Sequence, residues 1–225
     1  MSDPTETART IAIGDIHGCS LALDALIEAI RPAPEDTIVT LGDTINRGPD
    51  SRGFIERLID LSRRCRLVPL LGNHDQMLLD VHAGKYPIFW LLDMGGTATL
   101  DSYGPGRELS LIPEGHIEFL EGCLDFYETD RLIFVHANYF PDIPMAEQHV
   151  GMLRWESLRD MTPGPHESGK VVIAGHTSQK GGEVLDLGHL KCIDTFCYGG
   201  GWLTALEVGT GEVWQADRGG GLRRR

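Results

Sequence analysis

Residues 10–30 read TIAIGDIHGCSLALDALIEAI, and this stretch combines two different apolar patterns. The run TIAI is typical of a strand buried on both faces, and a glycine ends it. The run SLALDALIEAI then repeats apolar residues at the spacing of an α-helix, with Ser20 as the predicted N-cap. The stretch therefore predicts a strand, a short polar loop and a helix, in that order.

The same unit occurs twice more in the first part of the chain. DTIVTLGD leads through a loop to the amphipathic run SRGFIERLIDLSRR, and CRLVPLLGNHD leads directly to QMLLDVHAG. Strands that alternate with helices pair in parallel, because each helix carries the chain back across the sheet. The three units together predict an α/β fold with parallel strands.

The second part of the chain is less regular and richer in strands. Strand patterns from Arg131 onward are RLIFVHAN, KVVIAGHT, HLKCIDT, WLTALEV and EVWQAD. Helices are predicted at residues 85–92, 116–127 and 145–159, and the glycine-rich segment 95–106 is predicted to be mostly turn.

No change in composition marks a boundary between two domains. The predicted organisation is a disordered polar tail at residues 1–8, a single domain at 9–217 and a flexible C-terminal tail at 218–225.

Charge and cysteine content narrow the possible partners and the compartment. The formal net charge of −13 argues against a protein that follows nucleic acid by neutralising phosphates, which requires a surplus of Lys and Arg. No stretch approaches the apolar length of a membrane span, so neither nucleic acid nor a membrane is an expected partner. The five cysteines are odd in number and form no C-x-x-C pair, which favours reduced thiols in a cytoplasmic protein.

Side chains that bind metals follow five of the predicted strands. Asp15 and His17 follow the first strand, Asp43 the second, Asn73 and His74 the third, and His136 and His176 two later ones. In open α/β sheets, ligands bind outside the carboxyl ends of the strands. Each of these residues taken alone is better explained as a turn, a cap or a structural histidine, and only their joint pattern indicates a site.

A two-metal site suits this mixture of carboxylate, imidazole and amide. The set matches manganese, iron or zinc better than calcium or magnesium, which favour oxygen-only ligands. One carboxylate can bridge two ions, and such a pair can hold a hydroxide and stabilise an in-line displacement at phosphorus. The residues therefore predict phosphoester hydrolysis.

The blocks GDIHG, GDTINRGPDS, GNHD, FVHAN and AGHT, in this order, resemble the motifs of the calcineurin-like metallophosphoesterases. The resemblance is narrower to the phosphoprotein phosphatase (serine/threonine protein phosphatase) branch of bacterial type, and it spans about residues 11–208. It implies an α/β fold of the αββα sandwich type, with two mixed β-sheets flanked by helices and the site at one end of the sheets.

The resemblance also implies a role for each matching residue. Asp15 and His17 would bind the first metal ion, Asp43 would bridge both ions, and Asn73, His136 and His176 would bind the second. His74 would be the general acid that protonates the leaving alkoxide, and Arg47 would grip the substrate phosphate. A guanidinium suits that task because its planar fork of donors matches phosphate oxygens.

Three positions depart from the family pattern. Asn46 stands where the protein phosphatases carry the second Asp of GDxVDRG, which orients the general-acid histidine. The amide oxygen of Asn46 is expected to accept the imidazole N–H in its place, with Asp75 as the alternative partner. Arg154 is predicted as the second substrate-binding arginine, although a solvated helix charge would explain it equally well. Phe196 replaces a glycine of the family's IDTGCVYGG ending.

Two substrate classes share these motifs. A phosphoprotein phosphatase would act on phosphoserine, phosphothreonine or phosphotyrosine, and the sequence favours this class because the chain is short. A symmetrical diadenosine tetraphosphate hydrolase resembles the same branch, carries GNHD and also lacks the second Asp. A third hypothesis is a relic that binds manganese but has lost catalysis through Asn46.

Overall fold

The computed structural model describes residues 8–224 of the chain. Its strands are β1 (Thr10–Ile13), β2 (Thr37–Thr40), β3 (Arg66–Pro69), β4 (Phe126–Glu128), β5 (Leu132–Val135), β6 (Val171–Ala174), β7 (Leu185–Asp186), β8 (Leu190–Cys192), β9 (Leu203–Glu207) and β10 (Val213–Ala216). Its α-helices are α1 (Ser20–Ile30), α2 (Ser51–Leu61), α3 (Asn73–His82), α4 (Ile88–Leu91), α5 (Thr97–Tyr103), α6 (Glu114–Glu121) and α7 (Val150–Trp155). None of the helices in residues 8–224 has the length and apolarity needed to cross a membrane.

The strands form two mixed sheets of five strands each. The first sheet has the order β10-β9-β1-β2-β3, and the second has the order β4-β5-β6-β8-β7. β1, β2 and β3 run parallel, as the three repeated units predict, and β9 and β10 add an antiparallel edge. In the second sheet β5, β6 and β8 are parallel, and the two outer strands are antiparallel.

The layers follow from strands that are apolar on both faces. In β1, Ala12 faces the second sheet while Ile11 and Ile13 pack against α1 and α2. In β5, Phe134 joins the layer between the sheets while Ile133 and Val135 pack on the opposite face. Because successive side chains of a strand alternate between faces, one apolar run fills two core layers. The αββα sandwich with two mixed sheets is therefore confirmed.

Three predicted helices are shorter than expected. The helix predicted at 85–92 begins only at Ile88, because Pro87 disfavours helical backbone at the residue before it. The segment predicted at 116–127 is helical only to Glu121 and then forms β4. The segment predicted at 145–159 is a 3₁₀ turn followed by α7, which begins after His149.

The segment 95–106, predicted as mostly turn, contains α5. The chain leaves α4 through a kinked π-type turn over Leu92–Gly96 and then continues as α5. Thr99, Leu100 and Tyr103 of α5 are buried. Packing of this face stabilises a helix that the local glycine content disfavours.

Two smaller predictions concern chain ends and caps. Ser20 is the first helical residue of α1 rather than its N-cap, and its hydroxyl donates to Asp50 Oδ2 at 2.6 Å. The tail predicted at 1–8 lies outside the described residues except for residue 8. Of the tail predicted at 218–225, the described part folds back on β10, where the Arg223 N–H donates to the Gln215 carbonyl at 2.8 Å. Its flexibility and the domain boundaries stay predictions.

Candidate active site

The seven predicted metal-binding and acid residues lie just after β1, β2, β3, β5 and β6, and two of them, Asn73 and His74, are the first residues of α3. Both sheets end at this edge of the sandwich, so residues from 15 to 176 come together there. Six of the seven are nearly inaccessible to solvent and His176 is half-buried: the buried ones are Asp15, His17, Asp43, Asn73, His74 and His136.

The backbone in these loops is held in a conformation that is rare for residues with side chains. His17, Asp43, Asn46, Arg47 and His176 have φ between 48° and 69°. Such left-handed backbone is costly outside glycine and persists where the surrounding structure over-determines it. The concentration of this strain in the site loops is typical of functional sites.

Gly72 allows the backbone that follows β3 to lie close to Asp43. A Cβ on Gly72 would lie 2.2 Å from the backbone nitrogen of Asp43 and 2.2 Å from its Oδ1. The glycine therefore lets the loop after β3 pass directly against Asp43. The side chain of Asp75 stabilises this turn by accepting the Gly72 N–H at 3.0 Å.

Asp43 lies at the centre of the site. Its Oδ2 is 3.5 Å from His17 Nε2, and its Oδ1 is 3.5 Å from His136 Nε2. Ligand atoms of His17, Asp43 and His74 form one group, and those of Asp43, His136 and His176 form another. In each group the atoms lie within 4.8 Å of one another, and Asp43 belongs to both.

Three imidazoles are oriented by backbone carbonyl groups. His17 Nδ1 is 2.9 Å from the Ile45 oxygen, and His136 Nδ1 is 2.6 Å from the Leu41 oxygen. His176 Nε2 is 3.0 Å from the Trp155 oxygen. A carbonyl oxygen only accepts, so these nitrogens carry the hydrogen and the opposite nitrogens present lone pairs. Fixing the imidazole through its outer nitrogen is the usual arrangement around metal ions.

The ring nitrogens of His136 and His176 that do not contact a carbonyl group lie close to another acceptor. Asn73 Oδ1 lies 3.1 Å from His136 Nε2 and 3.1 Å from His176 Nδ1. The carbonyl groups place the imidazole hydrogens on the outer nitrogens. The lone pairs of His136 Nε2, His176 Nδ1 and Asn73 Oδ1 therefore face one another, and no hydrogen lies between them. A cation among them would turn this repulsion into coordination, so the donor set fits a divalent metal ion.

Burial opposes ionisation of the carboxyl groups in the site. Burial raises the pKa of Asp43 to about 7. Burial, followed by the charges of Asp194 and Asp43, raises the pKa of Asp15 well above its usual value. Burial and then Asp43 raise the pKa of Asp75 to about 7. A cation bound nearby would stabilise the ionised carboxylates and offset this cost.

Burial lowers the pKa of the imidazoles, because it disfavours their charged form. Burial lowers the pKa of His136 to about 4 and that of His176 to about 3. Burial, with a further contribution from Arg47, lowers the pKa of His17. Neutral imidazoles are the form that binds metal ions, so the fold holds them ready for coordination.

Asp15 joins the two sheets at the site. Both of its carboxylate oxygens lie 3.0 Å from the backbone nitrogen of His176. A Cβ on Gly175 would lie 2.1 Å from Asp15 Oδ1, so this contact also depends on a glycine. Asp15 belongs to neither group of converging ligand atoms, and its role as a ligand of the first metal ion stays a prediction.

Asn46 contacts His74 through its amide nitrogen. Asn46 Nδ2 is 2.9 Å from His74 Nδ1, while Asn46 Oδ1 accepts from the Thr99 hydroxyl at 2.8 Å. The expectation that the amide oxygen accepts the imidazole N–H was therefore wrong, because the amide nitrogen faces the imidazole and the oxygen faces Thr99. The amide donates to Nδ1 and leaves the His74 hydrogen on Nε2.

Asp75, the alternative partner for His74, has other contacts. Its carboxylate accepts from the backbone nitrogen of Thr44 at 3.0 Å and from the Thr44 hydroxyl at 2.5 Å. It therefore stabilises the loop after β2 and the start of α3, and Asn46 is the side chain that contacts His74 Nδ1.

The two predicted arginines have different surroundings. Arg47 lies inside the site: its backbone nitrogen donates to the Gly95 carbonyl at 3.0 Å, and its Nη1 lies 3.1 Å from His17 Nε2. The guanidinium of Arg154 is already paired with Asp125, to which Nε donates at 2.8 Å. The predicted role of Arg154 in binding substrate would require it to leave this ion pair.

Residues 8–201 match the family described as Calcineurin-like phosphoesterase. This chain is a calcineurin-like phosphoesterase. The resemblance inferred from its motifs is thereby confirmed, together with the expectation of a metal-dependent phosphatase.

Named relatives of this calcineurin-like phosphoesterase fall into two groups. It is 39% identical over 202 residues to "Serine/threonine-protein phosphatase 1" of Salmonella typhimurium (strain LT2), covering 87% of this chain and 90% of that protein. It is 42% identical over 139 residues to a "Bis(5'-nucleosyl)-tetraphosphatase, symmetrical" of Janthinobacterium sp. (strain Marseille), covering 61% of this chain but only 46% of that protein.

A solved structure supports the fold of this calcineurin-like phosphoesterase. A crystal structure provisionally named a diadenosine tetraphosphatase superimposes with a TM-score of 0.70 at 24% identity, over 95% of both chains. At this level of identity the likeness concerns the fold alone.

Some residues of this phosphoesterase site were not foreseen from the sequence. Thr99 lies in the segment predicted as turn, and no local pattern connects it with Asn46. Asp194 follows β8, and its charge adds to the effect of burial in raising the pKa of Asp15. Tyr198 lies with its ring against Arg47 and His17. The IDTFCYGGG ending was the only sequence feature that pointed to these last two residues.

Proposed function

We propose that this protein is a phosphoprotein phosphatase that hydrolyses phosphoserine and phosphothreonine esters, with phosphotyrosine as a further substrate. The observation that carries the proposal is the match to the Salmonella phosphatase over nearly the full length of both proteins. The proposed compartment is the cytoplasm, in keeping with five unpaired cysteines.

The site is proposed to bind two divalent cations, with manganese first and iron or zinc as alternatives. Asp43 would bridge the two ions, since its two oxygens face opposite groups of ligands. Asp15 and His17 would complete the first position, and Asn73, His136 and His176 the second. When bound, two such cations lower the pKa of water and stabilise the charge that develops during in-line displacement at phosphorus.

The side chains of the protein supply orientation and proton transfer. Arg47 donates to the phosphate oxygens and holds the ester in place. In its resting, neutral form His74 carries its hydrogen on Nε2, because Nδ1 accepts from Asn46. To act as general acid it first gains a second proton, and the imidazolium then gives the Nε2 proton to the leaving alkoxide and becomes neutral again. Thr99 holds the Asn46 amide in the orientation that fixes this tautomer.

A symmetrical tetraphosphatase is the second candidate. The matches to such enzymes include one at 42% identity over 139 residues and one at 45% identity over 140 residues. However, the chain spans about half the length of these relatives.

The decisive experiment compares substrates on one preparation. Protein loaded with Mn²⁺ is assayed on phosphoserine, phosphothreonine and phosphotyrosine peptides and on diadenosine tetraphosphate. The proposal predicts higher kcat/KM on at least one phosphopeptide than on the dinucleotide, and the reverse order would establish the second candidate. The matched control is His74→Asn, which should keep bound metal but lose turnover. Metal binding without turnover of any phosphoester would instead identify a catalytically inactive relic.

A further inference from the structure

Arg47 is held in the site by aromatic rings. Its Cζ lies 4.6 Å from the centre of the Tyr198 ring. Its Nη1 also lies 3.1 Å from His17 Nε2, but that contact would be lost once Nε2 binds a metal ion, whereas the ring contact would remain. A carboxylate partner, such as Asp125 at Arg154, uses the donors of a guanidinium and neutralises its charge. A ring face attracts the cation but leaves the N–H groups in the guanidinium plane available to a phosphate.

The Tyr198 ring is itself fixed by two neighbours. It packs edge-on against His17 with ring centres 4.7 Å apart, and against Phe196 with ring centres 4.8 Å apart. The cation of Lys180 lies 5.4 Å from the centre of the Phe196 ring. The order of contacts is therefore Phe196 against Tyr198, and Tyr198 against Arg47.

Phe196 adopts a conformation that a bulky residue normally avoids. Its φ is 66°, in the left-handed region that favours glycine. Its backbone is fixed there because its N–H donates to Asp194 Oδ1 at 2.9 Å and its carbonyl accepts from Gly201 at 2.8 Å. Strain that is held so firmly beside a site indicates a functional role for the side chain.

Gly199 provides the space for this ring. A Cβ on Gly199 would lie 2.0 Å from Phe196 Cζ and 2.1 Å from Cε1. Any side chain at position 199 would therefore displace the Phe196 ring and, with it, the support behind Tyr198. The backbone conformation of Phe196 and the absence of a side chain at Gly199 together fix the position of the Phe196 ring.

We propose that Phe196 and Tyr198 are positioning residues that hold the Arg47 guanidinium for phosphate binding. This inference rests on the proposed function, in which Arg47 grips the phosphate. It requires the ring of Tyr198 rather than its hydroxyl, and it requires Phe196 to act through Tyr198.

The test measures binding of inorganic phosphate to Mn²⁺-loaded protein by calorimetry, without any turnover. Tyr198→Leu should weaken phosphate binding about ten-fold, while Tyr198→Phe should stay within about two-fold of the wild type. In an Arg47→Ala background, Tyr198→Leu should have no further effect. The matched control is Tyr127→Leu, which removes another cation–ring contact, with Arg66 at 5.4 Å, far from the site.

Phe196→Gly provides a second variant that does not depend on the stability of Tyr198→Leu. Glycine adopts the backbone of position 196 without strain, so the unfolding temperature should be maintained. Phosphate binding should nevertheless weaken about three-fold, because Tyr198 loses its support.

The results separate this inference from the proposed function. Unchanged phosphate affinity in Tyr198→Leu and Phe196→Gly would overturn the inference, as would absence of phosphate binding by the wild type. An equal loss in Tyr198→Phe would overturn it too, since the hydroxyl would then be responsible. If the expected pattern appears but no phosphoester is hydrolysed, the proposed function is wrong and the positioning role stands. In an active enzyme, Tyr198→Leu should raise KM about ten-fold and Phe196→Gly about three-fold, and both should change kcat little.

Discussion

Asn46→Asp tests the proton transfer assigned to His74. In the wild type the amide nitrogen lies 2.9 Å from His74 Nδ1. Burial lowers the pKa of the imidazole, and the neighbouring His17 and Arg47 lower it further. A carboxylate in this position would place its charge about 4 Å from the imidazolium charge, a favourable interaction of about 4 kcal/mol at an effective dielectric constant of about 20. Desolvation of the new carboxylate at this buried position offsets part of that gain.

The carboxylate would also reverse the hydrogen bond, accepting from His74 Nδ1 where the amide donates to it. Left-handed backbone tolerates Asp nearly as well as Asn, so the φ of 69° at position 46 should not oppose the substitution. Thr99 would still donate to the remaining oxygen. The variant should therefore raise the population of protonated His74 without displacing the loop.

The assay compares two leaving groups. An alkoxide released from phosphoserine needs a proton, whereas p-nitrophenolate leaves without one, so only the first substrate should respond strongly. We expect kcat on a phosphoserine peptide to rise about ten-fold or more and kcat on p-nitrophenyl phosphate to change less than about three-fold. The pH range in which the enzyme hydrolyses the phosphoserine peptide should also shift to higher pH.

Two controls accompany this variant. Adding His74→Asn should abolish the gain, and Asn46→Gly, which keeps the left-handed backbone without strain, should lower activity on the peptide. Equal gains on both substrates, or none on either, would refute the assignment of His74 as the proton donor.

Three further predictions concern the same site. Asp43→Ala should lose both equivalents of Mn²⁺, because its oxygens face both groups of ligands, and metal analysis of the purified variant that finds one full equivalent would contradict bridging. Thr99→Val should lower kcat on phosphoserine peptides about ten-fold while Thr99→Ser retains it, since only a hydroxyl can fix the Asn46 amide. The pKa of Asp43 is raised to about 7, so in metal-free protein its contribution to stability is fully present below about pH 4 and is lost as pH rises through about 7. Thermal melts should accordingly show a larger stabilisation by Mn²⁺ at about pH 8 than at about pH 6, and an equal or smaller one would show that Asp43 titrates normally.

Long-range contacts explain the predictions that failed. Thr99 bonds to Asn46 across 53 residues of sequence, so no local pattern connects the two. The helix that carries Thr99 begins directly after a glycine pair and is stabilised by the burial of Leu100 and Tyr103. Propensity read along the chain predicts a turn there, because the packing partners lie elsewhere in the sequence.

The αββα sandwich of two sheets was implied by the resemblance to a known family. The sequence patterns by themselves predicted an α/β architecture with parallel strands and the set of site residues. Both depend on local information: strands that are apolar on both faces, and polar motifs placed directly after them. Parallel strands bring their carboxyl ends to one edge, so residues as distant as Asp15 and His176 could be assigned to one site before any coordinates were known.

Only the tertiary structure decided how these side chains are oriented and paired. The direction of the Asn46 amide depends on Thr99, the pairing of Arg154 depends on Asp125, and the placement of Arg47 depends on Tyr198. Each is a contact between side chains whose positions are set by separate elements packing together. A hydrogen bond or a ring contact needs atoms within a few ångströms and a definite angle, and spacing along the chain does not specify either one.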